Sequence, residues 1–423
     1  MTTELWGPLA RYADRLHAVI GDGHHVASPL GAWLLLALCA PASAGAARDE
    51  LVEILGMDPA TAASAAAALL DNPHPLVPSA TAVWHRLGDD FSGLSRWSAT
   101  LPPATEVGPL PDQARLDAWA REHTLGLIDE FPLTMSPKVV LVLASALATR
   151  VSWREPFDVA PAGELGPHSR WAGRLTRVLR TPEYGHNSYI ATTERAGDLI
   201  VHVAPARSGR SSRWAGLSVV SVAAAPEVKP AEVLAAAYEL SPTALGTGPA
   251  GRRSLFDLPL GETPLWTLRE EPVLTRAAGG REERHVAVLP CWSAGSDHDL
   301  SAPDLGFPAA TRVMAALLDR DLTFEAKQTA MARYGRYGFE AAAVAGFGMA
   351  CSAPSEGVAR IAELRFGHPY AVVAVATDTQ PGADGLHVPG PWHGVPVFSG
   401  WVSEPEDLPE AEAGDLAPPE PEW

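Results

Sequence analysis

Cys351 and Ser352 are adjacent in the sequence, and both residue types act as nucleophiles in covalent catalysis. Such a nucleophile needs a base beside it, and no histidine lies near this pair in the sequence. The sequence also contains no GxSxG nucleophile elbow, no HExxH zinc helix and no Walker phosphate loop. We therefore expect that the chain is not an enzyme.

Two other patterns bear on phosphate and metal binding. Residues 246–251 contain a GxGxxG string, but Pro242 lies just upstream and no helical pattern follows, whereas phosphate binding needs a strand before and a helix after. His387 and His393 lie in a stretch rich in proline and glycine, and metal sites usually need three or four ligands. We expect surface histidines, no metal and no cofactor.

Residues 338–353 have the pattern of a β-strand, in which residues two apart share a face. One face is apolar: Phe339, Ala341, Ala343, Ala345, Phe347, Met349 and Cys351. The other face is small or polar: Glu340, Ala342, Val344, Gly346, Gly348, Ala350 and Ser352. Proline does not interrupt before Pro354 and residues 341–353 carry no charge, so the segment can enter a sheet without desolvating a charge. A permanent strand has the same composition.

The elements around this segment are predicted from hydrophobic periodicity and from Gly and Pro positions. Helices are expected at 4–20, 29–47, 48–55 and 112–127, and strands at 138–148, 200–204, 217–224, 285–289 and 370–376. Surface loops are expected at 208–213, 246–253 and 380–394. The apolar run 29–47 imitates an export signal, but it starts late, follows acidic as well as basic residues and contains a proline, which favours a buried helix.

Composition limits the partners of this chain. With 423 residues, 47% apolar and 19% charged, it can bury a large core, which excludes disorder over most of its length. A formal net charge of −18 argues against nucleic acid and anionic membranes as partners. The three cysteines, Cys39, Cys291 and Cys351, are too few and too far apart for a disulfide framework. We expect a monomer in the cytoplasm, or export by a route that the sequence does not show.

The C-terminal segment differs in composition from the rest. Residues 403–423 hold eight acidic residues, no basic residue and several prolines. Like charges and proline favour an extended chain. We expect residues 1–402 to form one domain and residues 403–423 to form a disordered acidic tail.

Four motifs carry a resemblance to a known family. Residues 27–30 (ASPL) with 45–56 (GAARDELVEILG) resemble the SPxS and GxTxxxIxxxLG patterns of the serpins. Residues 118–128 (AWAREHTLGLI) with 141–157 (LVLASALATRVSWREPF) resemble NxWVxxxTxGxI and LVLVNAIYFKGxWxxxF. The third motif, residues 338–344 (GFEAAAV), resembles the serpin hinge GTEAAAA. The fourth, residues 366–370 (FGHPY) with 396–402 (PVFSGWV), resembles the patterns FNxPFxF and xxFxGxVxxP. Because the motifs follow the family order, the chain resembles a serpin of bacterial type.

The resemblance implies an α+β fold with three β-sheets, eight or nine helices and an exposed reactive loop. It implies an inhibitor of serine-type endopeptidases that is cleaved as a suicide substrate, after which the cleaved loop inserts into the main sheet. The hinge and insertable loop that it implies are Gly338, Phe339, Glu340, Ala341, Ala342, Ala343, Val344 and Ala345.

The reactive bond is assigned by counting. Fifteen residues from Gly338 end at Ser352, which makes Ser352–Ala353 the reactive bond. Counting back from Phe366 instead gives Ser355 or Ala359, because the loop is longer than is usual for the family.

The residue before the cleaved bond indicates the kind of target protease. A small or apolar residue there (Ser352, Met349 or Phe347) suits subtilisin-, elastase- or chymotrypsin-like serine proteases, whereas Arg360 suits a trypsin-like enzyme. We favour the first group, because Arg360 lies close to the strand expected to anchor the far end of the loop.

Several residues depart from the family pattern. Phe339 replaces a small polar residue that enters the sheet first, and a ring needs space that a packed core rarely leaves. Arg336 replaces an acid, and Gly31, Ser145 and Gln328 replace a serine, an asparagine and a histidine expected to hydrogen-bond beneath the opening sheet. These departures keep a second function open, a binding or carrier protein of serpin fold whose loop does not insert.

Overall fold

A computed structural model describes residues 5–86, 92–207, 214–244, 246, 248–339, 355–382 and 386–414. These ranges contain nine α-helices: α1 Trp6–Ile20, α2 Pro29–Cys39, α3 Gly45–Leu55, α4 Pro59–Leu70, α5 Ser92–Ser98, α6 Gln113–His123, α7 Pro230–Ala244, α8 Phe307–Leu318 and α9 Glu410–Ala413. None of these described helices is both long and apolar enough to cross a membrane.

The strands occupy most of the chain after residue 140. They are β1 His25–Ala27, β2 Ser79–His85, β3 Thr105–Pro109, β4 Leu141–Leu147, β5 Val151–Ser152, β6 Asp158–Pro161, β7 Arg177–Arg180, β8 Asn187–Thr193, β9 Gly197–Pro205, β10 Ala215–Ala224, β11 Gly261–Glu262, β12 Trp266–Thr275, β13 Arg281–Leu289, β14 Trp292–Asp299, β15 Lys327–Tyr334, β16 Gly338–Phe339, β17 Ser355–Arg365, β18 Tyr370–Pro381, β19 His387–Pro389 and β20 Val395–Val402.

Local sequence explains the ends of the helices near the site. Ser28 caps α2 by accepting the Gly31 N–H at 3.2 Å, and Pro29 stands at the first helical position, where a missing N–H costs nothing. Helix α3 ends at Gly56, whose φ of 70° is left-handed and therefore favours glycine. Helix α2 is apolar almost all round and is buried almost all round, as its composition predicts.

The strands form three layers. One sheet has seven strands in the order β1-β20-β18-β10-β9-β8, with β19 beside β18, and a second has six in the order β11-β12-β17-β13-β7-β6. The third layer, here called the split sheet, consists of three separately paired groups: β3-β2-β4, β5-β16 and β14-β15. The prediction of an α+β fold with three sheets and eight or nine helices is confirmed for the described residues.

The split sheet lies between two helices. Along β4, Val142, Ala144 and Ala146 pack in one apolar cluster with Trp119 of α6. The alternate residue Ser145 faces the other way and hydrogen-bonds to α2. Because strand side chains alternate, α6 covers one face of the split sheet and α2 the other.

Two predicted segments differ from the structure. The expected loop 380–394 contains a hairpin, in which the end of β18 pairs with β19. The expected disorder from Ser403 is wrong for residues 403–414, because Leu408 is buried in the core and Glu406 pairs with Cys291. Their acidic composition suggested solvation, but the carboxylates have partners on other elements. Residues 415–423 lie outside the described residues.

Candidate functional site at the hinge

The predicted hinge begins at one end of the split sheet. Gly338 and Phe339 form β16, which pairs antiparallel with β5, so that Gly338 lies opposite Ser152 and Phe339 opposite Val151. The remaining predicted residues lie outside the described residues: Glu340, Ala341, Ala342, Ala343, Val344, Ala345 and the bond Ser352–Ala353. The structure thus places the start of the loop, and its cleavage site stays a prediction.

Trp153 holds the turn between β15 and β16. Its indole N–H donates to the Gly335 carbonyl at 3.0 Å, and its backbone N–H donates to the Tyr337 carbonyl at 2.9 Å. The ring is 1% exposed and its centroid lies 5.0 Å from that of Tyr334. Sequence reasoning did not single out this residue, although the motif at 141–157 contains it.

Strands β4 and β15 run in the same direction. Ser145 and Gln328 each hydrogen-bond to the backbone at the start of α2, at 2.8 and 2.9 Å, and further along the chain Trp153 bonds to Tyr337. Eight residues separate Ser145 from Trp153, and nine separate Gln328 from Tyr337. Both segments therefore run from the start of α2 to the hinge turn over nearly the same number of residues, so the two strands are parallel.

A slot separates these two strands. In the described part of the chain, β4 pairs only with β2 and β15 pairs only with β14, so their facing edges have no strand between them. The space beneath α6 contains a cavity of about 100 Å³, with Leu143, Ser145, Leu147, Gln328, Ala330 and Trp119 among its lining residues. A strand that continued from β16 into the slot would run antiparallel to β4 and to β15 and could hydrogen-bond to both edges.

The residues that replace the family's polar groups beneath the slot form a hydrogen-bond network at the start of α2. The Gln328 amide forms two bonds with the Ser28 backbone: its oxygen accepts the N–H and its nitrogen donates to the carbonyl, both at 2.9 Å. A Cβ on Gly31 would lie 3.4 Å from the hydroxyl oxygens of Ser28 and Ser145, so this position adjoins the same network. Gln328 and Ser145, which stand where the family has a histidine and an asparagine, therefore each hydrogen-bond to the start of α2.

Replacing Gln328 by methionine is expected to lower the free energy of unfolding by about 2 to 4 kcal/mol, because two backbone groups of Ser28 lose their partners while the side-chain volume is kept. Lys327→Met is the matched control: its ion pair with Glu325 is exposed, and its loss is expected to cost less than about 1 kcal/mol. Urea titration of both variants measures the difference in free energy of unfolding. Equal losses in the two variants would show that the Gln328 amide contributes no more to stability than an exposed ion pair.

The far end of the loop joins a buried strand. Ala359 in β17 is 0% exposed. Arg360 pairs with Glu270 at 2.9 Å, donates to the carbonyls of Leu255 and Leu258 at 2.7 and 2.9 Å, and covers the Phe256 ring. Because a protease needs an accessible, extended substrate, this contact set argues against cleavage at either position. The positions that remain are Phe347, Met349 and Ser352, which lie outside the described residues, and Ser355, which begins β17 opposite Thr275.

Two histidines, the half-buried His186 and the buried His202 of β9, pack close to the hinge. His186 and His202 share a hydrogen bond of 3.0 Å, and both rings pack against Phe157, at 4.5 and 5.4 Å between centroids. The Phe157 N–H donates to the Arg336 carbonyl at 3.0 Å, so Phe157 links the two histidines to the hinge turn. Burial lowers the pKa of His186 to about 4 and holds that of His202 well below its ordinary value, so both are neutral at pH 7.

The other candidate residues are dispersed. His387 stacks on Trp214 at 3.8 Å, and His393 contacts the Asp378 carbonyl at 3.2 Å. The described residues contain no group of three or more metal-ligating side chains. Burial raises the pKa of the Cys39 thiol to about 12, which keeps it from acting as a thiolate, and Cys351 lies outside the described residues.

Comparison with known proteins identifies the fold. No protein-family model matches the sequence. A rice protein (Oryza sativa subsp. japonica) with the provisional name serpin-Z8 is 29% identical over 200 residues, a match that covers 42% of this chain and 47%, less than half, of that relative.

Similar solved structures extend over nearly the whole chain. The thermophilic serpin tengpin in its native state has a TM-score of 0.62 at 13% identity, covering 96% of this chain and 95% of tengpin. Human thyroxine-binding globulin with thyroxine has a TM-score of 0.58 at 13% identity, covering 95% and 98%. AtSerpin1 of Arabidopsis, in its native stressed conformation, has a TM-score of 0.55 at 16% identity, covering 95% and 97%. The chain therefore has the serpin fold, as its four motifs predicted.

Proposed function

We propose that this protein inhibits serine endopeptidases as a suicide substrate. The observation that carries the proposal is the slot between β4 and β15, two parallel strands that reach the hinge and between whose facing edges no described residue forms a strand below β16. Residues 340–354 connect this hinge to β17, and their sequence alternates between an apolar and a small or polar face. An antiparallel strand of that composition suits the slot.

The dimensions agree with insertion. Thirteen residues, 340–352, span about 43 Å as a strand at roughly 3.3 Å per residue. The β4 side of the slot beyond the pairs with β16, from Leu141 to Arg150, covers ten residues, or about 33 Å on the same scale. A loop cleaved after Ser352 can therefore fill the slot along its whole length, and its far end would reach the edge opposite the hinge.

The chemistry starts as ordinary proteolysis. The serine oxygen of the protease attacks the Ser352 carbonyl carbon, an ester forms, and the Ala353 amine leaves with a proton. Hydrolysis of the ester by water would complete the reaction. Insertion of residues 340–352 before that step carries the ester-linked protease across the sheet, and the backbone hydrogen bonds gained along both edges of the slot stabilise the trapped state.

The proposed targets follow from the composition of the loop, whose residues are mostly small and apolar. We infer a subtilisin-, elastase- or chymotrypsin-like protease acting on a monomeric inhibitor. Residues 340–354 contain no lysine or arginine, so trypsin has no preferred site there and serves as a matched negative control.

The second candidate is a binding or carrier protein whose loop does not insert. Phe339 favours it, because it stands where the family has a small polar residue, and a close-packed core rarely leaves space for a ring. The fold is compatible with either function, since thyroxine-binding globulin in complex with thyroxine is among the similar structures.

The test is incubation with subtilisin, chymotrypsin, elastase and trypsin in turn, followed by denaturing gels and by melting of any cleaved product. We expect a covalent complex that survives denaturant with one of the first three proteases, and a large rise in melting temperature after loop cleavage. Cleavage without a complex and without a rise in melting temperature would reject insertion and favour the carrier function.

A further inference from the structure

The chain continues beyond its last sheet strand and returns to the hinge. Residues 403–414, here called the C-terminal strap, follow β20. The Glu406 N–H donates to the Cys291 carbonyl at 2.8 Å, and the Asp407 carboxylate accepts the Arg177 N–H at 2.9 Å. Leu408 is 5% exposed and belongs to the main core. The strap is thus anchored on two elements before it reaches its end at α9.

Helix α9 places a carboxylate on the hinge. One oxygen of Glu412 pairs with Arg333 at 2.6 Å, and the other accepts the Arg336 backbone N–H at 3.1 Å. The Glu412 side chain is 17% exposed. The Arg336 guanidinium in turn donates to the carbonyls of Glu412 and Gly414, at 2.7 and 2.6 Å. These bonds involve charged groups in a partly buried site, where they are stronger than exposed ion pairs.

Arg336 also hydrogen-bonds across the end of the slot that insertion has to open. Its Nε donates to the Phe157 carbonyl at 3.0 Å, and its own carbonyl accepts the Phe157 N–H at 3.0 Å. Phe157 follows β5 on the β4 side of the slot, whereas Arg336 follows β15 on the other side. Widening the slot at the hinge therefore requires Arg336 to leave Phe157, and the strap fixes Arg336 in the position that makes both bonds.

We propose that the C-terminal strap is an intramolecular clamp on the hinge, which slows opening of the slot until a protease has cleaved the loop. The inference rests on the proposed function for its biological purpose, but the clamp itself is a property of the strap and hinge. It also gives a role to Arg336, which departs from the family pattern: its backbone N–H and its guanidinium both bond to the strap, at Glu412 and Gly414.

The test compares Glu412→Gln with Glu410→Gln. Glu410 lies on the same helix and is exposed, so its substitution removes the same charge without touching Arg333 or Arg336. Hydrogen exchange is followed at the Trp153 and Phe157 amides, which bond to the hinge carbonyls, and at the Arg154 amide, which bonds to Pro205 instead. We expect exchange at 153 and 157 to be about tenfold faster in Glu412→Gln, with Arg154 and the Glu410→Gln variant unchanged.

A second measurement covers function. Held below its melting temperature without protease, Glu412→Gln is expected to convert faster than Glu410→Gln into a more stable form that no longer traps the protease. Unchanged exchange at Trp153 and Phe157 would overturn the clamp, whether or not the protein inhibits. Faster exchange with no covalent protease complex in the unmodified protein would keep the clamp and reject inhibition. Global loss of protection in Glu412→Gln, Arg154 included, would also count against a local clamp.

Discussion

Replacing Ala343 by arginine is expected to convert the protein from an inhibitor into a cleavable substrate. Ala343 lies on the face shared with Phe339 and Ala341, which the alternation assigns to the buried side of the inserted strand. A guanidinium there would be buried without a partner, at a cost on the order of several kcal/mol. Insertion would become too slow to compete with hydrolysis, so we expect the yield of covalent complex with subtilisin, elastase or chymotrypsin to fall at least tenfold.

Ala342→Arg is the matched control for this experiment. Ala342 immediately precedes Ala343, and the alternation assigns it to the opposite face, which is small or polar. A long side chain on that face can keep its charge in water. We expect this variant to retain most of its complex yield while the loop of Ala343→Arg is cleaved and the protease stays active. Equal yields from both variants would contradict insertion in the predicted register, and undiminished trapping by Ala343→Arg would refute the insertion mechanism.

The sequence predicts the elements of this fold well where local chemistry decides them. Gly56 ends its helix because the left-handed conformation favours glycine, and the apolar run after Pro29 forms a buried helix. The hairpin of β18 and β19 was missed, because proline and glycine in that stretch indicate a loop and pairing between strand ends depends on the neighbouring Trp214. Local propensity does not contain such tertiary contacts.

The candidate site could be predicted in part. Gly338 and Phe339 follow from the hinge motif. Ser145 and Gln328 were singled out as departures from the family pattern, and the structure brings both of them to the start of α2. The partner of Arg336 could not be predicted, since Glu412 lies 76 residues away in a segment whose composition indicates disorder. Only the three-dimensional path of the strap shows that Glu412 lies beside Arg333 and the Arg336 backbone.

Buried histidines are expected to make the protein lose stability in mild acid. Burial lowers the pKa of His17 to about 3 and of His186 and His285 to about 4, against an ordinary value of 6.5. The same cause lowers the pKa of five more: His25, His74, His202, His298 and His368. At least eight histidines are therefore held neutral by the fold.

The direction of the effect follows from proton linkage. Between pH 6.5 and about 4 the unfolded chain binds protons at His17, His186 and His285 and the native chain does not, so the free energy of unfolding falls as the pH falls. The other five histidines act in the same direction. Each such histidine contributes up to about 1.4 kcal/mol per pH unit. Asp14 and Asp378, whose pKa values burial raises, act in the opposite direction, but they are outnumbered. We expect a loss of several kcal/mol by pH 4, comparable to the whole stability of many domains.

His186→Gln isolates one contribution, and it tests the support of the hinge at the same time. Urea unfolding at pH 7, 6, 5 and 4 gives the slope of stability against pH, which we expect to be shallower in His186→Gln by about one proton. His168→Gln removes an exposed histidine and is expected to leave the slope unchanged. Because His186 packs against Phe157, which bonds to Arg336, acid should also lower the protection of the Phe157 amide, that is, raise its exchange rate relative to an unfolded amide at the same pH, before the protein unfolds globally. An identical slope in all three proteins would mean that the fold does not hold His186 neutral, and the link between acid and the hinge would be lost with it.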